Sequence, residues 1–143
     1  MPRPAPGPVF AGPGPGYPRC VTTTSEQELF RFLEDRFTCA QACTECARAC
    51  ALRASLLDPD GGEREEIVRR NAIMCAEVCD ATCRMLCEQN RLDEKALRVQ
   101  VEWCRTVCLE TARACDTRRD AADAAAVSRA CARACADFLE SLA

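Results

Sequence analysis

The sequence predicts an all-α fold, an antiparallel up-down four-helix bundle whose core is lined with cysteine. Cysteines recur three or four residues apart in four separate segments, and residues at these spacings lie on one face of an α-helix. No segment alternates between apolar and polar residues as a half-buried strand does. Residues 25–143 contain one proline and two glycines, all in one turn, so little interrupts the helices.

The first helix is predicted to begin at Ser25, because Ser25 and Glu28 match a capping box. It should end before Pro59, which disfavours helical geometry in the preceding residue. Asp120 is a candidate N-cap for the last helix, because aspartate accepts hydrogen bonds from the first turn. The second, third and fourth helices are predicted at residues 63–90, 93–116 and 120–143.

Two regions are expected, a tail at residues 1–24 and a four-helix metal-storage domain at residues 25–143. The tail holds seven of the eight prolines and four of the six glycines, which is typical of a flexible, partly polyproline-II segment. Cys20 lies in the tail, outside any helical stripe, and is not expected to be a core ligand. The length of 143 residues fits one folded domain.

Composition excludes several classes of function. A net charge of −3 gives no electrostatic case for binding nucleic acid or an anionic membrane. No run of 18 apolar residues is present to form a membrane-spanning helix, and the N-terminal region lacks the apolar core of a secretory signal. A cytoplasmic location is therefore expected, where thiols stay reduced. Without histidine or a glycine-rich phosphate loop, no enzymatic activity is expected.

The spacing of the cysteines favours a soft, low-coordinate metal ion. The recurring unit is C-x3-C, whose two Cβ atoms lie about 5–6 Å apart on a helix. A linear sulfur–metal–sulfur unit is about 4.6 Å long if each bond has the zinc–thiolate length, so one such pair can hold one two-coordinate ion. Cu(I) is the biological ion that best matches thiolates without imidazole. Thirteen of the fourteen thiols are predicted to face the core, and many Cu(I) ions per chain are expected.

Four alternatives remain on sequence grounds alone. Disulfides could staple a helical hairpin, although this requires an oxidising compartment. A zinc-thiolate buffer is chemically close to a copper store. An iron–sulfur protein is disfavoured, because the spacing differs from the ferredoxin run and Ala51 stands where that run has proline. The thiols could also form a plain core, with only 26 Leu, Ile, Val and Phe residues to support it.

Antiparallel packing should give the two ends of the bundle different character. Leu29 and Phe32 are expected at the same end as Cys87 and Leu142, where they would form an apolar plug. The opposite end is expected to be more open.

The C-x3-C-x2-C-x3-C stripe of residues 39–50, with C-x3-C pairs on the later helices, resembles the bacterial copper storage proteins, and in particular their cytosolic branch. The resemblance implies a bundle that binds many Cu(I) ions through inward-facing cysteines and assembles into a homotetramer. This chain departs from the family in having no histidine for the mouth of the bundle, and Met74 and Met85 are interpreted as packing residues. The ligands that the resemblance implies are Cys39, Cys43, Cys46, Cys50, Cys75, Cys79, Cys83, Cys87, Cys104, Cys108, Cys115, Cys131 and Cys135.

Overall fold

A computed structural model describes residues 1–7, 24–88 and 93–142. The predicted tail, including Cys20, lies largely outside these residues, as does the predicted end of the second helix at Asn90. The described elements are four α-helices, with a short 3-10 turn at Arg119–Ala121 before the last one. They are α1 (Thr24–Leu56), α2 (Glu63–Cys87), α3 (Glu94–Asp116) and α4 (Ala122–Ser141).

The four helices form the predicted up-down bundle. Each helix packs against two neighbours, in the cyclic order α1, α2, α3, α4 and back to α1. Two arginines link the N-terminal half of one helix to the end of another: Arg36 Nε donates to the Leu86 carbonyl at 2.6 Å, and Arg98 Nη2 donates to the Leu142 carbonyl at 3.0 Å. These contacts place the N-terminal half of α1 beside the end of α2, and the start of α3 beside the end of α4, as antiparallel packing requires.

The predicted turn between the first two helices is present, whereas the predicted cap of the last helix is not. Between α1 and α2, Gly62 has a φ of 91°, a conformation that favours glycine. At the start of α3, Asp93 Oδ1 accepts from the backbone N–H of Lys95 at 2.9 Å and caps the helix. The predicted cap of α4 is wrong, because Asp120 lies in the 3-10 turn and its carboxylate accepts instead from Arg53 and Arg118.

One end of the bundle is apolar, as predicted, but not all of its predicted members take part. The rings of Phe32 and Phe138 lie 5.7 Å apart between centroids, and Leu142 packs against the same cluster. Leu29 is 56% exposed and Cys87 lies at the surface, so neither belongs to the plug. Both residues face outward because their helical positions rotate away from the core-facing stripe.

We expect Phe138→Ala to lower the free energy of unfolding of the apoprotein by about 3–5 kcal/mol. The side chain of Phe138 is fully buried, so its removal leaves a cavity as well as losing apolar contact. Urea unfolding followed by circular dichroism measures the change. Phe37→Ala is the matched control, because Phe37 is 61% exposed and should shift the unfolding free energy by no more than about 0.5 kcal/mol. Equal effects of the two substitutions would contradict the described packing.

No helix in the described part of the chain is long and apolar enough to cross a membrane.

The centre of the bundle is built from cysteine and alanine more than from large aliphatic residues. Free thiols pack as small apolar groups, so this centre buries less apolar surface than a leucine core would.

Candidate metal centre

The cysteines of α1 follow steps of four, three and four, which keeps every thiol on one helical face. The cysteines of α3 keep the same positions with Thr111 in place of one thiol, and α4 carries two cysteines four residues apart. On α1, Cys39 to Cys50 form a continuous stripe whose members are at most 1% exposed. On α3 and α4 the cysteines are equally buried. The first two cysteines of α2 join them. Ten fully buried thiols therefore meet inside the bundle, here called the ten-thiol core: Cys39, Cys43, Cys46, Cys50, Cys75, Cys79, Cys104, Cys108, Cys131 and Cys135.

The sulfur atoms of the ten-thiol core form a network of close contacts. The sulfurs of Cys79 and Cys108 lie 3.5 Å apart. Two of the i,i+4 pairs, Cys46–Cys50 and Cys75–Cys79, have sulfur separations of 4.0 Å and 3.9 Å. All thirteen cysteines in the described part of the chain are free thiols, so no disulfide joins these helices there.

Three groups of thiols are compact enough to share a metal ion, with all sulfurs of each group within 4.8 Å of one another. Two groups contain four thiols and one contains three. Cys131 belongs to both four-thiol groups, and Cys46 belongs to one of these and to the three-thiol group. The groups therefore form one continuous donor surface. They are Cys43/Cys104/Cys131/Cys135, Cys46/Cys79/Cys108/Cys131 and Cys46/Cys50/Cys75.

The close contacts divide the core thiols by acidity. The contact with Cys135, more than any other, lowers the pKa of Cys39 to about 5, and the contact with Cys108 lowers the pKa of Cys75 to about 4. A thiol that keeps its proton stabilises a neighbouring thiolate by hydrogen bonding, so low and high pKa values occur side by side. The pKa is also lowered at Cys46, Cys104 and Cys131, and it is raised at Cys43, Cys50, Cys79, Cys108 and Cys135.

Three predicted ligands lie outside the ten-thiol core. Cys115 is buried at the far end of α3, beside a small alanine cluster, and burial raises its pKa. Cys83 is only partly buried, and Cys87 is exposed. The prediction that all thirteen thiols face the core is therefore wrong for Cys87 and only partly right for Cys83. The cause is the 4-4-4 spacing on α2, which advances about 40° around the helix at each step.

The end of the bundle opposite the apolar plug is polar, and the sequence prediction missed two of its residues. Ser128 Oγ lies 3.7 Å from Cys46 Sγ and 3.9 Å from Cys50 Sγ. Arg53 is 8% exposed, and its Nη2 lies 3.1 Å from the Asp120 carboxylate. This ion pair covers the end that was expected to be open. Ser128 lies three residues before Cys131, and Arg53 lies three residues after Cys50. The helical spacing of the cysteines could therefore have identified both residues.

Two buried side-chain polar atoms in the described residues have no hydrogen-bond partner, Arg53 Nε and Thr111 Oγ1. Thr111 occupies the stripe position between Cys108 and Cys115. Burial raises the pKa of Cys115, and the positive charge of Arg53 lowers it in part. These two atoms without partners therefore lie beside the cysteine stripes and away from the apolar plug.

A four-helix bundle with ten buried, mutually contacting thiols is a thiolate metal-binding protein by fold and donor set. The family described as copper storage protein matches residues 25–140, and the chain belongs to this family.

Solved structures of a Streptomyces lividans copper storage protein are similar to this chain. A mutant of that protein in which one histidine is replaced by alanine is 30% identical to this chain. The match covers 82% of this chain and 96% of the mutant, with a TM-score of 0.55. The cytosolic copper storage protein from the same organism with five coppers is 30% identical over 80% and 93% of the two chains, with a TM-score of 0.54. The form loaded with 10 copper equivalents is 29% identical over 87% and 92%, with a TM-score of 0.54. The comparison with curated protein sequences gave no match.

Proposed function

We propose that the protein binds and stores multiple Cu(I) ions through the ten-thiol core. The observation that carries this proposal is the continuous contact between ten fully buried sulfurs contributed by all four helices. Membership of the copper storage family supports it, as do the S. lividans structures with five coppers and with 10 copper equivalents. Of the remaining predicted ligands, Cys115 is proposed to extend the core, and Cys83 and Cys87 to bind copper outside it.

The sulfur separations support ions shared among several thiolates. With a metal–sulfur bond of about 2.3 Å, two sulfurs lie about 4.6 Å apart in a linear unit, about 4.0 Å in a trigonal one and about 3.8 Å in a tetrahedral one. The Cys46–Cys50 and Cys46–Cys75 separations of 4.0 and 3.7 Å match the two higher coordination numbers. Linear binding by a C-x3-C pair requires the sulfurs to separate by about 0.6 Å, which side-chain rotation can supply.

Zinc is the competing cargo, because tetrahedral zinc sites take four thiolates. Isolated zinc sites need four ligands each, whereas the two four-thiol groups share Cys131. The sharing of ligands supports a multinuclear cluster in which a thiolate bridges two ions. The soft thiolate donor set without histidine supports Cu(I) as the ion.

An anaerobic titration of the reduced apoprotein with Cu(I), in competition with a chromogenic chelator, tests the proposed function. We expect uptake on the order of ten ions per chain, because ions and thiolates in similar number balance charge inside the bundle. The same titration with Zn(II) is the control. Uptake of three or fewer Cu(I) ions, with tighter binding of zinc, would contradict copper storage and support a zinc buffer.

Copper affinity should rise with pH between 6 and 8. Thiols with a raised pKa, such as Cys50 and Cys115, keep their protons at neutral pH and must release them to bind copper. Each displaced proton increases the apparent affinity by about tenfold per pH unit below that pKa. Cys39, whose pKa is lowered to about 5, contributes no slope in this range. Chelator competition at pH 6, 7 and 8 measures the effect, and a flat profile would contradict the proposed protonation pattern.

The proposed setting is the cytosol, with storage rather than catalysis as the activity. The S. lividans relative is a cytosolic copper storage protein, and the thiols of this chain need a reducing compartment to remain free. Residues 1–24 are proposed to be an appended tail, since the family match begins at residue 25.

Self-association into a homotetramer is proposed for the assembled store. Several large apolar side chains on the described surface are more than half exposed, among them Phe30 and Phe37. Trp103 is 51% exposed rather than packed within the bundle, so it is a candidate subunit contact. Met74 is likewise 41% exposed, whereas Met85 packs against the core. Sedimentation equilibrium of the wild type and of Trp103→Ala tests this proposal, and a monomeric wild type would contradict it.

A further inference from the structure

The cysteines of α2 run from the core to the surface. They are the described cysteines that follow a strict 4-4-4 spacing, which rotates the stripe by about 40° at each step. Burial follows the rotation: Cys75 and Cys79 are fully buried, Cys83 is partly buried and Cys87 is exposed. The described stripes on the other helices end on buried cysteines instead. α2 therefore carries a ladder of thiols between solvent and the ten-thiol core.

The two outer thiols, Cys83 and Cys87, lie one helical turn apart on α2, so their side chains are neighbours on the helix surface. Desolvation, and after it the proximity of Cys83, raises the pKa of Cys87. The hydroxyl of Thr44 donates to the Ala40 carbonyl at 3.0 Å, and the same oxygen lies 3.0 Å from Cys83 Sγ. The Thr44 oxygen can thus accept the Cys83 proton in a hydrogen bond. Cys83 also packs against the core cluster, which places it between the inner and outer parts of the ladder.

A fixed positive charge lies beside the outer thiols. The guanidinium of Arg36 donates from Nε to the Leu86 carbonyl and from Nη2 to the Glu88 carbonyl, both at 2.6 Å. These hydrogen bonds hold Arg36 over the C-terminal end of α2, where its charge acts on Cys87. A Cu(I) ion held by two thiolates carries a net charge of −1, which Arg36 is positioned to balance.

We propose that Cys83 and Cys87 form a solvent-accessible, two-coordinate Cu(I) site that takes copper from small thiol complexes and passes it to Cys79; this inference rests on the proposed storage function. The i,i+4 spacing suits a linear unit about 4.6 Å long. The site lies where α1 contacts α2, beside Thr44 and Arg36. It supplies an access route in a chain without histidine.

The transfer is a sequence of ligand exchanges with no change in oxidation state. Cys87 loses its proton to solvent and bonds to the copper, and one thiolate of the donor leaves and takes up a proton. Cys83 displaces the second donor thiolate in the same way. Cys79, one turn closer to the core on α2, then releases its proton and displaces Cys87, and the Cys87 thiolate takes up a proton as it leaves. Copper remains Cu(I) throughout.

The test compares loading kinetics of the full chain carrying Cys20→Ser, with and without the additional changes Cys83→Ser and Cys87→Ser. Cu(I) is delivered anaerobically as its glutathione complex, and uptake is followed by stopped-flow absorption of the Cu(I)–thiolate bands. We expect the outer-site variant to bind one Cu(I) fewer at saturation and to load the remainder at least tenfold more slowly. Unchanged capacity and rate would overturn the proposal.

The matched control replaces Asp80 and Arg84, an exposed i,i+4 pair on the same helix, with serine. It introduces two serines at the same spacing without touching a thiol, and it should load at the parent rate. An equal slowing in this control would assign the effect to the helix and overturn the proposal. A parent protein that takes up few Cu(I) ions would instead overturn the storage function, so the two failures are distinguishable.

A second measurement requires no change to the outer thiols. The chain carrying only Cys20→Ser is mixed with one equivalent of the Cu(I)–glutathione complex, quenched at short times with an alkylating reagent and analysed by mass spectrometry. Relative to the copper-free chain, labelling of Cys83 and Cys87 should fall at the shortest times and recover as the copper moves to the buried core. Labelling of Cys83 and Cys87 that stays at the copper-free level at every time would overturn the proposed route.

Discussion

Replacing Cys46 and Cys131 together with serine is expected to remove more copper than any other pair of core substitutions. Cys46 and Cys131 each belong to two of the three compact thiol groups, and together they belong to all three. Every group therefore loses at least one donor. Serine keeps the size of the side chain close to that of cysteine but is a poor ligand for Cu(I). The capacity measured by chelator competition should fall by more than half.

The matched control is Cys39→Ser with Cys50→Ser, which also removes two fully buried thiols. Only one of the three compact groups contains either residue. The loss in the Cys46/Cys131 variant should be roughly three times that in the control, since three groups rather than one lose a donor. Far-ultraviolet circular dichroism of both variants checks that the bundle remains helical. Equal losses would contradict the shared-ligand arrangement.

Copper loading is expected to stabilise the bundle strongly against heat. The apoprotein has a core of thiols and alanines with few large aliphatic residues, so its own packing supplies limited stability. An ion that binds only the folded state at a free concentration a thousand times its dissociation constant adds about 4.1 kcal/mol per site. For a domain of this size the midpoint of thermal unfolding should rise by at least about 10 °C.

Anaerobic differential scanning calorimetry of the apoprotein and the Cu(I)-loaded protein measures this shift. The Cys46/Cys131 double-serine variant should show a much smaller rise than the wild type on loading. An unchanged midpoint in the wild type would mean that copper does not bridge the four helices, and it would contradict the proposed location of the ions.

The helical spacing of the cysteines was sufficient to predict the bundle and the burial of most of its thiols. A stripe at mixed steps of three and four stays on one face, which is why the cysteines at residues 39–50 were all correctly predicted to be buried. Steps of four rotate the stripe of α2 by about 40° each, and this rotation carries Cys87, which was counted among the core thiols, to the surface. Periodicity must therefore be applied to each step rather than to the stripe as a whole.

Contacts between helices explain the remaining differences. Asp120 was predicted to cap α4 from its local sequence. Instead, its carboxylate accepts a hydrogen bond from Arg53, which lies 67 residues away in the sequence. Capping is a local preference of about 1 kcal/mol that a charged long-range partner can override. Ser128 was not predicted because the stripe of α4 was defined by its cysteines alone, although Ser128 lies on the same face and contacts Cys46. The acidity of Cys39 and Cys75 depends on sulfurs from other helices, which no local pattern provides.

The most direct test of copper storage in the ten-thiol core is an anomalous difference map at the copper edge from crystals of the Cu(I)-loaded protein. We predict a row of peaks along the bundle axis, each within about 2.3 Å of the sulfurs of two or more core cysteines. Further density between Cys83 and Cys87 is expected at low occupancy. Peaks confined to the protein surface, with the core sulfurs still 3.5–4.0 Å apart and empty of metal, would contradict the proposed store.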